Sequence, residues 1–172
     1  MTIEKTFLKV LRCLDNDKPV TPSELGIDDV PTERGVYIWY TLDQSSPAYI
    51  GKATGKTGLR GRVLRQHLNA NYLETRVSKI TSKDQRQLSH RILLNGKPAI
   101  EKSVFRKHLA RSHDLAPGRA TVEFIEANFR VQLIPLPDLT DNEIRTVEDK
   151  LVQALSPKLN IVGNRSIRSE ED

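Results

Sequence analysis

The sequence predicts an α+β fold in which a small antiparallel sheet is flanked by helices. Three observations carry that reading. Gly35–Leu42 (GVYIWYTL) and Ala48–Gly51 are short runs rich in β-branched and aromatic residues, and the turn-forming stretch Asp43-Gln44-Ser45-Ser46-Pro47 between them makes a hairpin. Phe129–Leu136 (FRVQLIPL) reads as a further strand, closed by Pro135 and Pro137. Helical patterns precede, separate and follow these runs, in the order helix, hairpin, helix, basic insertion, strand, helix.

Each element has a local reason. Ile3, Phe7, Val10, Leu11 and Leu14 recur at helical spacing, so residues 3–14 form an amphipathic helix that Asn16 and Asp17 end. Thr21-Pro22-Ser23-Glu24 opens a short second helix with proline at its first position. Pro31 begins an extended segment that leads into the hairpin. Thr54–Gly58 is a loop with Gly and Lys, but it lacks the earlier glycine of a Walker loop. Leu59–Leu68 reads as a helix, and residues 69–100 are polar and weakly patterned, with Asn95-Gly96 as a turn. Glu101–His113 reads as a helix whose Lys102, Arg106, Lys107 and Arg111 are candidates to face phosphates. Ala116-Pro117-Gly118 breaks the chain, and Thr121–Ala127 is open between helix and strand. Thr140 and Glu143 form a capping box for a helix running to about Leu155, with Pro157 just beyond it.

A chain of 172 residues suits one domain, and 37% hydrophobic residues suffice for a modest core. No stretch approaches the ~18 apolar residues of a membrane span, and charges interrupt the N-terminal segment where a signal peptide would need an apolar run. Cys13 is the single cysteine, which excludes an internal disulfide or a thiolate metal cluster and suits a cytoplasmic chain. The charge is unevenly spread. Residues 52–113 carry 15 Lys/Arg against 3 Asp/Glu, a net +12, within a chain of net +5. Such a block is the electrostatic footprint of a phosphate-backbone binder, or else a solvated basic face. No basic amphipathic helix with exposed aromatics points to a membrane surface.

Two helix positions are chemically odd. With Ile144 at 0°, Leu151 falls near about −20°, Leu155 near 20° and Glu148 near 40° on the wheel. Glu148 therefore lies inside an apolar stripe, where a carboxylate needs a cation or an arginine partner. His67 lies toward the apolar side of the Leu59–Leu68 helix, where a satisfied core histidine is the commoner case. His90, His108 and His113 have no metal-ligand spacing. Tyr37 and Tyr49, on adjacent strands, read by themselves as sheet packing.

Taken in order, these pieces resemble the GIY-YIG nuclease superfamily. Gly35-Val36-Tyr37 resembles its first motif and Tyr49-Ile50-Gly51 its second, a hairpin apart. Leu59-Arg60-Gly61-Arg62 resembles the helix start that supplies the family's arginine. Glu148, on a helix followed by Pro157-Lys158-Leu159-Asn160, resembles the metal-binding glutamate and the asparagine downstream of it. The match covers a core of about 31–68 and 129–161, leaving an N-terminal helical extension, 1–30, and a basic helical insertion, 69–128.

The resemblance implies a three-stranded sheet with strands near 35–42, 47–52 and 129–136, and DNA phosphodiester hydrolysis with one divalent metal, Mg²⁺ or Mn²⁺ in its place. It places Tyr37 near the attacking water, Tyr49 as an orienting group, Arg62 against the phosphate, Glu148 on the metal and Asn160 as a hydrogen-bonding support. A tyrosine of unperturbed pKa ~10 is a poor base at neutral pH, so Tyr37 needs a nearby cation, and Lys52 is the candidate. The chain departs from the family in two places. The family histidine follows its arginine by one helical turn, whereas Gln66 is four and His67 five residues after Arg62, and about 140° separates His67 from Arg62 on an α-helix. Either the helix start shifts or Gln66 takes the histidine's place. The lengthened loop Thr54–Gly58 makes Arg60 a substitute for Arg62. With no separate DNA-binding domain, the chain resembles the small stand-alone restriction-type members, acting as a dimer or higher assembly. A structure-selective repair or recombination nuclease working with partners, and a catalytically idle nucleic-acid-binding module, are the alternatives.

Overall fold

The computed structural model describes residues 2–43, 46–75 and 82–160, and the chain divides into two compact units, Met1–Gly61 with Phe129–Asp172, and Arg62–Asn128. The division falls inside the predicted helix Leu59–Leu68. Among the described residues the fold is α+β, with six α-helices and a three-stranded antiparallel sheet. Among the described residues, no helix is long and apolar enough to cross a membrane.

The first unit is built on the sheet β2–β1–β7, with β1 (Gly35–Thr41) between β2 (Pro47–Ala53) and β7 (Phe129–Pro135). The three strands match the predicted runs to within a few residues. Of the predicted connecting turn, Gln44 and Ser45 lie outside the described residues. Register pairs Val36 with Lys52 and Ile134, Tyr37 with Gly51 and Leu133, and Trp39 with Tyr49 and Val131. Because side chains alternate along a strand, Val36, Ile38 and Ile50 share one face and Tyr37, Trp39 and Tyr49 the other.

Helices α1 (Ile3–Asn16) and α6 (Asp141–Leu155) cover the first of these faces. Val10 of α1 and Ile144, Val147 and Leu151 of α6 are buried against Val36, Ile38, Tyr40 and Ile50 in one cluster, with Phe7, Leu11 and Leu14 packed at its margin. The predicted stripes on both helices are thus their buried faces. Thr2 caps α1, and the Thr140–Glu143 capping box opens α6 with Glu143 Oε2 accepting from the Thr140 N–H at 2.8 Å. Ser156, in the left-handed region at φ 44°, ends α6 before Pro157. Tyr40 belongs to this core. Its hydroxyl donates to Gln132 Oε1 at 3.0 Å, and burial, with the charge of Asp15, pushes its pKa up to about 12. The predicted second helix is a single 3₁₀ turn, Pro22–Glu24, and a short helix α2 (Gly58–Arg62) follows β2.

The second unit holds the elements the weak patterning left undrawn. Leu68 N–H bonds to Val63 O at 2.9 Å, so Val63–His67 is a π-helical turn rather than the predicted α-helix. Strand β3 (Leu73–Glu74) pairs with β6 (Ile100–Glu101), and β4 (Leu93–Leu94) with β5 (Lys97–Pro98). Helix α3 spans Ser82–Ser89 and α5 spans Arg119–Asn128, which settles the open segment Thr121–Ala127 as helix. Helix α4 is Val104–His113, capped by Ser103, so the predicted helix start at Glu101 is corrected: Glu101 is a strand residue.

Candidate active site

In the first unit, Gly35-Val36-Tyr37 on β1 and Tyr49-Ile50-Gly51 on the edge strand β2 lie side by side. Tyr37 is 2% exposed, and its ring lies over Gly51, its register partner. A Cβ built on Gly51 would run into the Tyr37 hydroxyl and ring carbons. The glycine of the second motif is therefore required by the tyrosine of the first. Tyr49 is the diagonal neighbour of Tyr37 across the strand pair. The two rings are 6.3 Å apart between centroids and tilted by 33°.

Strand alternation puts Lys52 on the opposite face of β2 from the tyrosines, toward α6. There its ammonium forms an ion pair with Glu148 Oε2, and the expectation that Lys52 is the cation beside Tyr37 is corrected, because strand alternation sends the two side chains to opposite faces. The partner demanded by a carboxylate in an apolar stripe is thus a lysine, rather than the arginine that would have read the same in the sequence. The side chains of Lys52 and Glu148 are 27% and 12% exposed, so water reaches the pair.

Asn160 sits in a 3₁₀ turn, Lys158–Asn160, that follows α6. Its Oδ1 accepts from Ile50 N–H at 2.8 Å, and its Nδ2 donates to Ile50 O at 2.7 Å. One side-chain amide thereby acts as a strand residue against the outer edge of β2, between Tyr49 and Lys52. Arg60 is a strut of the same unit, with Nε donating to Val30 O at 2.8 Å and its own N–H to Pro31 O at 2.7 Å.

Arg62, Gln66 and His67 belong to the second unit. Arg62 Nη1 donates to Gln66 Oε1 at 2.6 Å. In a π-turn each hydrogen bond spans five residues, so the residue five places on takes the place that four places on has in an α-turn. The spacing that separates Arg62 from His67 on an ideal α-helix is therefore corrected, and the Arg62 charge acts on His67. His67 is 2% exposed, pairs through Nδ1 with Ser103 Oγ at 3.0 Å, and meets Phe105 edge to face at 5.4 Å. Burial, then the charges of Arg62 and Arg106, hold its pKa well below the ordinary value. It is a neutral core histidine.

The four cations expected to face DNA separate sharply. Arg106 is corrected: it is fully buried, with Nε at 2.7 Å from Glu101 Oε2 and Nη1 donating to Gln66 O at 3.0 Å. Glu101, equally buried, also accepts from Gly118 N–H at 2.7 Å. This knot ties the π-turn, β6, α4 and the start of α5 together and leaves Arg106 nothing for phosphates. Lys107 is paired with Glu74 and Arg111 with Asp84, both at 2.6 Å. Lys102 is exposed, with its ammonium 5.1 Å from the Tyr72 ring centroid. Arg91 and Lys97 are further exposed cations of this unit, Lys97 directly after the Asn95-Gly96 turn.

Among the described residues, no three His, Cys, Asp or Glu side chains gather as a metal cluster. Glu148 alone still fits Mg²⁺, a hard cation that keeps several waters and takes one or two carboxylates. No family profile, curated protein or solved structure matches the chain.

Proposed function

We propose that the protein is a divalent-metal-dependent endonuclease of the GIY-YIG type that hydrolyses DNA phosphodiester bonds, of a restriction or defence-like kind. The observation that supports this reading is the arrangement along β2, with the tyrosine pair on one face and the Lys52–Glu148 pair on the other. Tyr37 packs over Gly51 and beside Tyr49, and the next residue, Lys52, meets the one carboxylate in the apolar stripe of α6. A sheet needs none of this for packing alone, because an aliphatic pair at 52 and 148 would fill the same face without desolvating two charges.

In this reading Glu148 would hold Mg²⁺ or Mn²⁺. When bound, the ion supplies charge stabilisation to the phosphoryl oxygens and the leaving oxygen. The tyrosine hydroxyls orient the attacking water and the scissile phosphate. Lys52 holds Glu148 through their ion pair and adds positive charge near the phosphate. Asn160 fixes the backbone between Tyr49 and Lys52, so that both are pre-positioned. Arg62 is the residue that the family resemblance assigns to the equatorial oxygens. Hydrolysis forms the bond from the water oxygen to phosphorus as the water gives up a proton to solvent, and breaks the bond from phosphorus to the leaving oxygen, which takes up a proton.

A second reading has one observation in its favour. The Lys52–Glu148 pair is already charge-compensated, as suits an idle nucleic-acid-binding module that keeps the fold without a metal. Nicking of supercoiled plasmid with Mg²⁺, with Mn²⁺ and with EDTA separates the two. Metal-dependent nicking supports the nuclease, and binding that leaves the plasmid intact in both metals supports the module.

A further inference from the structure

The hairpin β4–β5 plays no part in the chemistry above, and its exposed face is unusual. Leu93 pairs with Pro98 and Leu94 with Lys97. The turn residues Asn95 and Gly96 both have positive φ, 52° and 74°, as a two-residue type I′ turn requires. Ala99 N–H closes the base on Ile92 O at 2.9 Å, and the chain then passes into Ile100 and Glu101, both buried. A short, conformationally fixed ribbon is thus rooted in the Glu101–Arg106 knot of its own unit.

Exposure alternates along it. Ile92 and Leu94 are half-buried, while Arg91 and Leu93 are exposed, and Pro98 is exposed on the same face as Leu93. Leu93 is 61% exposed. From Arg91 to Ala99 there are two cations, Arg91 and Lys97, and no acidic residue. Pro98 has no N–H to offer, which blunts the ribbon as an edge for a protein strand. Leu93 and Pro98 form an exposed aliphatic pair one step behind the Asn95-Gly96 tip, with Arg91 preceding the ribbon and Lys97 on its other face, and such an apolar pair with cations close by suits the DNA minor groove. Proteins that bind there present Arg or Lys to it and press Leu or Pro between base steps, unstacking them.

We propose that the hairpin Leu93–Pro98 is a minor-groove wedge. Leu93 and Pro98 press on a base step, and Arg91 and Lys97 hold the flanking phosphates. The proposal rests on the DNA-binding part of the function proposed above.

The test uses the full chain in EDTA with duplexes that carry 2-aminopurine at successive steps. Wild type is expected to raise the fluorescence at one or a few adjacent steps. Leu93→Ala should abolish most of that rise and weaken binding about tenfold, with melting unchanged, because the side chain is exposed. Arg91→Ala and Lys97→Ala should each lower the slope of log affinity against log salt by about one. Wild type that binds duplex without any rise, or hairpin variants that behave as wild type, overturns the wedge while leaving the nuclease reading standing. Binding weakened by major-groove base analogues, with no fluorescence rise, overturns it in favour of a major-groove ribbon. If wild type binds no DNA, the wedge and the DNA reading fall together.

Discussion

Lys52 and Glu148 join the edge strand of the sheet to the helix that covers it, one residue beyond the Tyr49-Ile50-Gly51 motif. Their pairing puts a positive charge and a hard oxygen ligand at one point on β2. The same contact contributes to stability and to the proposed chemistry, and substitutions can separate the two.

Glu148→Gln is expected to abolish cleavage in Mg²⁺ while DNA affinity in EDTA holds or rises, because a negative charge beside the phosphates is gone. Fully buried pairs lose ~3–5 kcal/mol when one partner is removed. The partial exposure of this pair places the loss nearer about 1–3 kcal/mol. Melting temperature, affinity and cleavage are measured on the one variant. Normal cutting by a destabilised variant would remove Glu148 from the metal site.

Gly51→Ala should act on Tyr37 without touching a charge. The new methyl group has to displace the Tyr37 ring. Overpacking of this kind costs about 1–3 kcal/mol. Cleavage should fall far more than the melting temperature, with the NMR signals of Tyr37 and Tyr49 shifting together. Unchanged ring signals would contradict the packing described here.

Arg106→Ala and Lys102→Ala should differ in kind. The first leaves Glu101 buried without its guanidinium and should destabilise the second unit by about 3–5 kcal/mol, seen as faster amide exchange across α4 and β6. The second should leave stability unchanged and flatten the salt dependence of DNA binding by about one. A stable Arg106→Ala variant with weakened DNA binding would place Arg106 at the surface after all.

His67 gives the fold an acid-side dependence. Its pKa is lowered in the folded chain, so between that lowered value and the unfolded value of about 6.5 the unfolded state binds more protons. Stability is therefore full above about pH 7 and is lost as pH falls through the unfolded pKa toward the folded one, by up to about 1.4 kcal/mol per pH unit. His67→Gln should flatten this stretch of the stability profile relative to wild type in urea titrations at pH 5 to 7.5. Parallel profiles would mean that the histidine is protonated in place.

The strands, the capping box and the anomaly at Glu148 were legible because each rests on local chemistry: β-branched runs, Thr140 with Glu143, and a carboxylate at the wrong angle on a wheel. The same wheel argument would have found Arg106, which stands three and four residues before the buried Leu109 and Ala110. It was read as a phosphate contact because cations on a basic segment look alike until burial is known. Its partner Glu101 belongs to a strand of two residues, too short to leave a pattern. The π-turn was not legible either, since the choice between four- and five-residue hydrogen bonds follows from seating His67 on Phe105 and Ser103, contacts far off in sequence.

The two outer edges of the sheet are each closed by a pair of hydrogen bonds from outside it. Val20 exchanges both backbone bonds with Val131 at 2.8 Å on β7, as the Asn160 amide does with Ile50 on β2. A three-stranded sheet with bare edges is a template on which further strands can add, chain upon chain. Asn160, assigned above to the proposed site, is then also a guard against self-association. Its replacement by Leu would expose the Ile50 edge, and the consequence would appear as concentration-dependent aggregation during refolding, whether or not the protein cuts DNA.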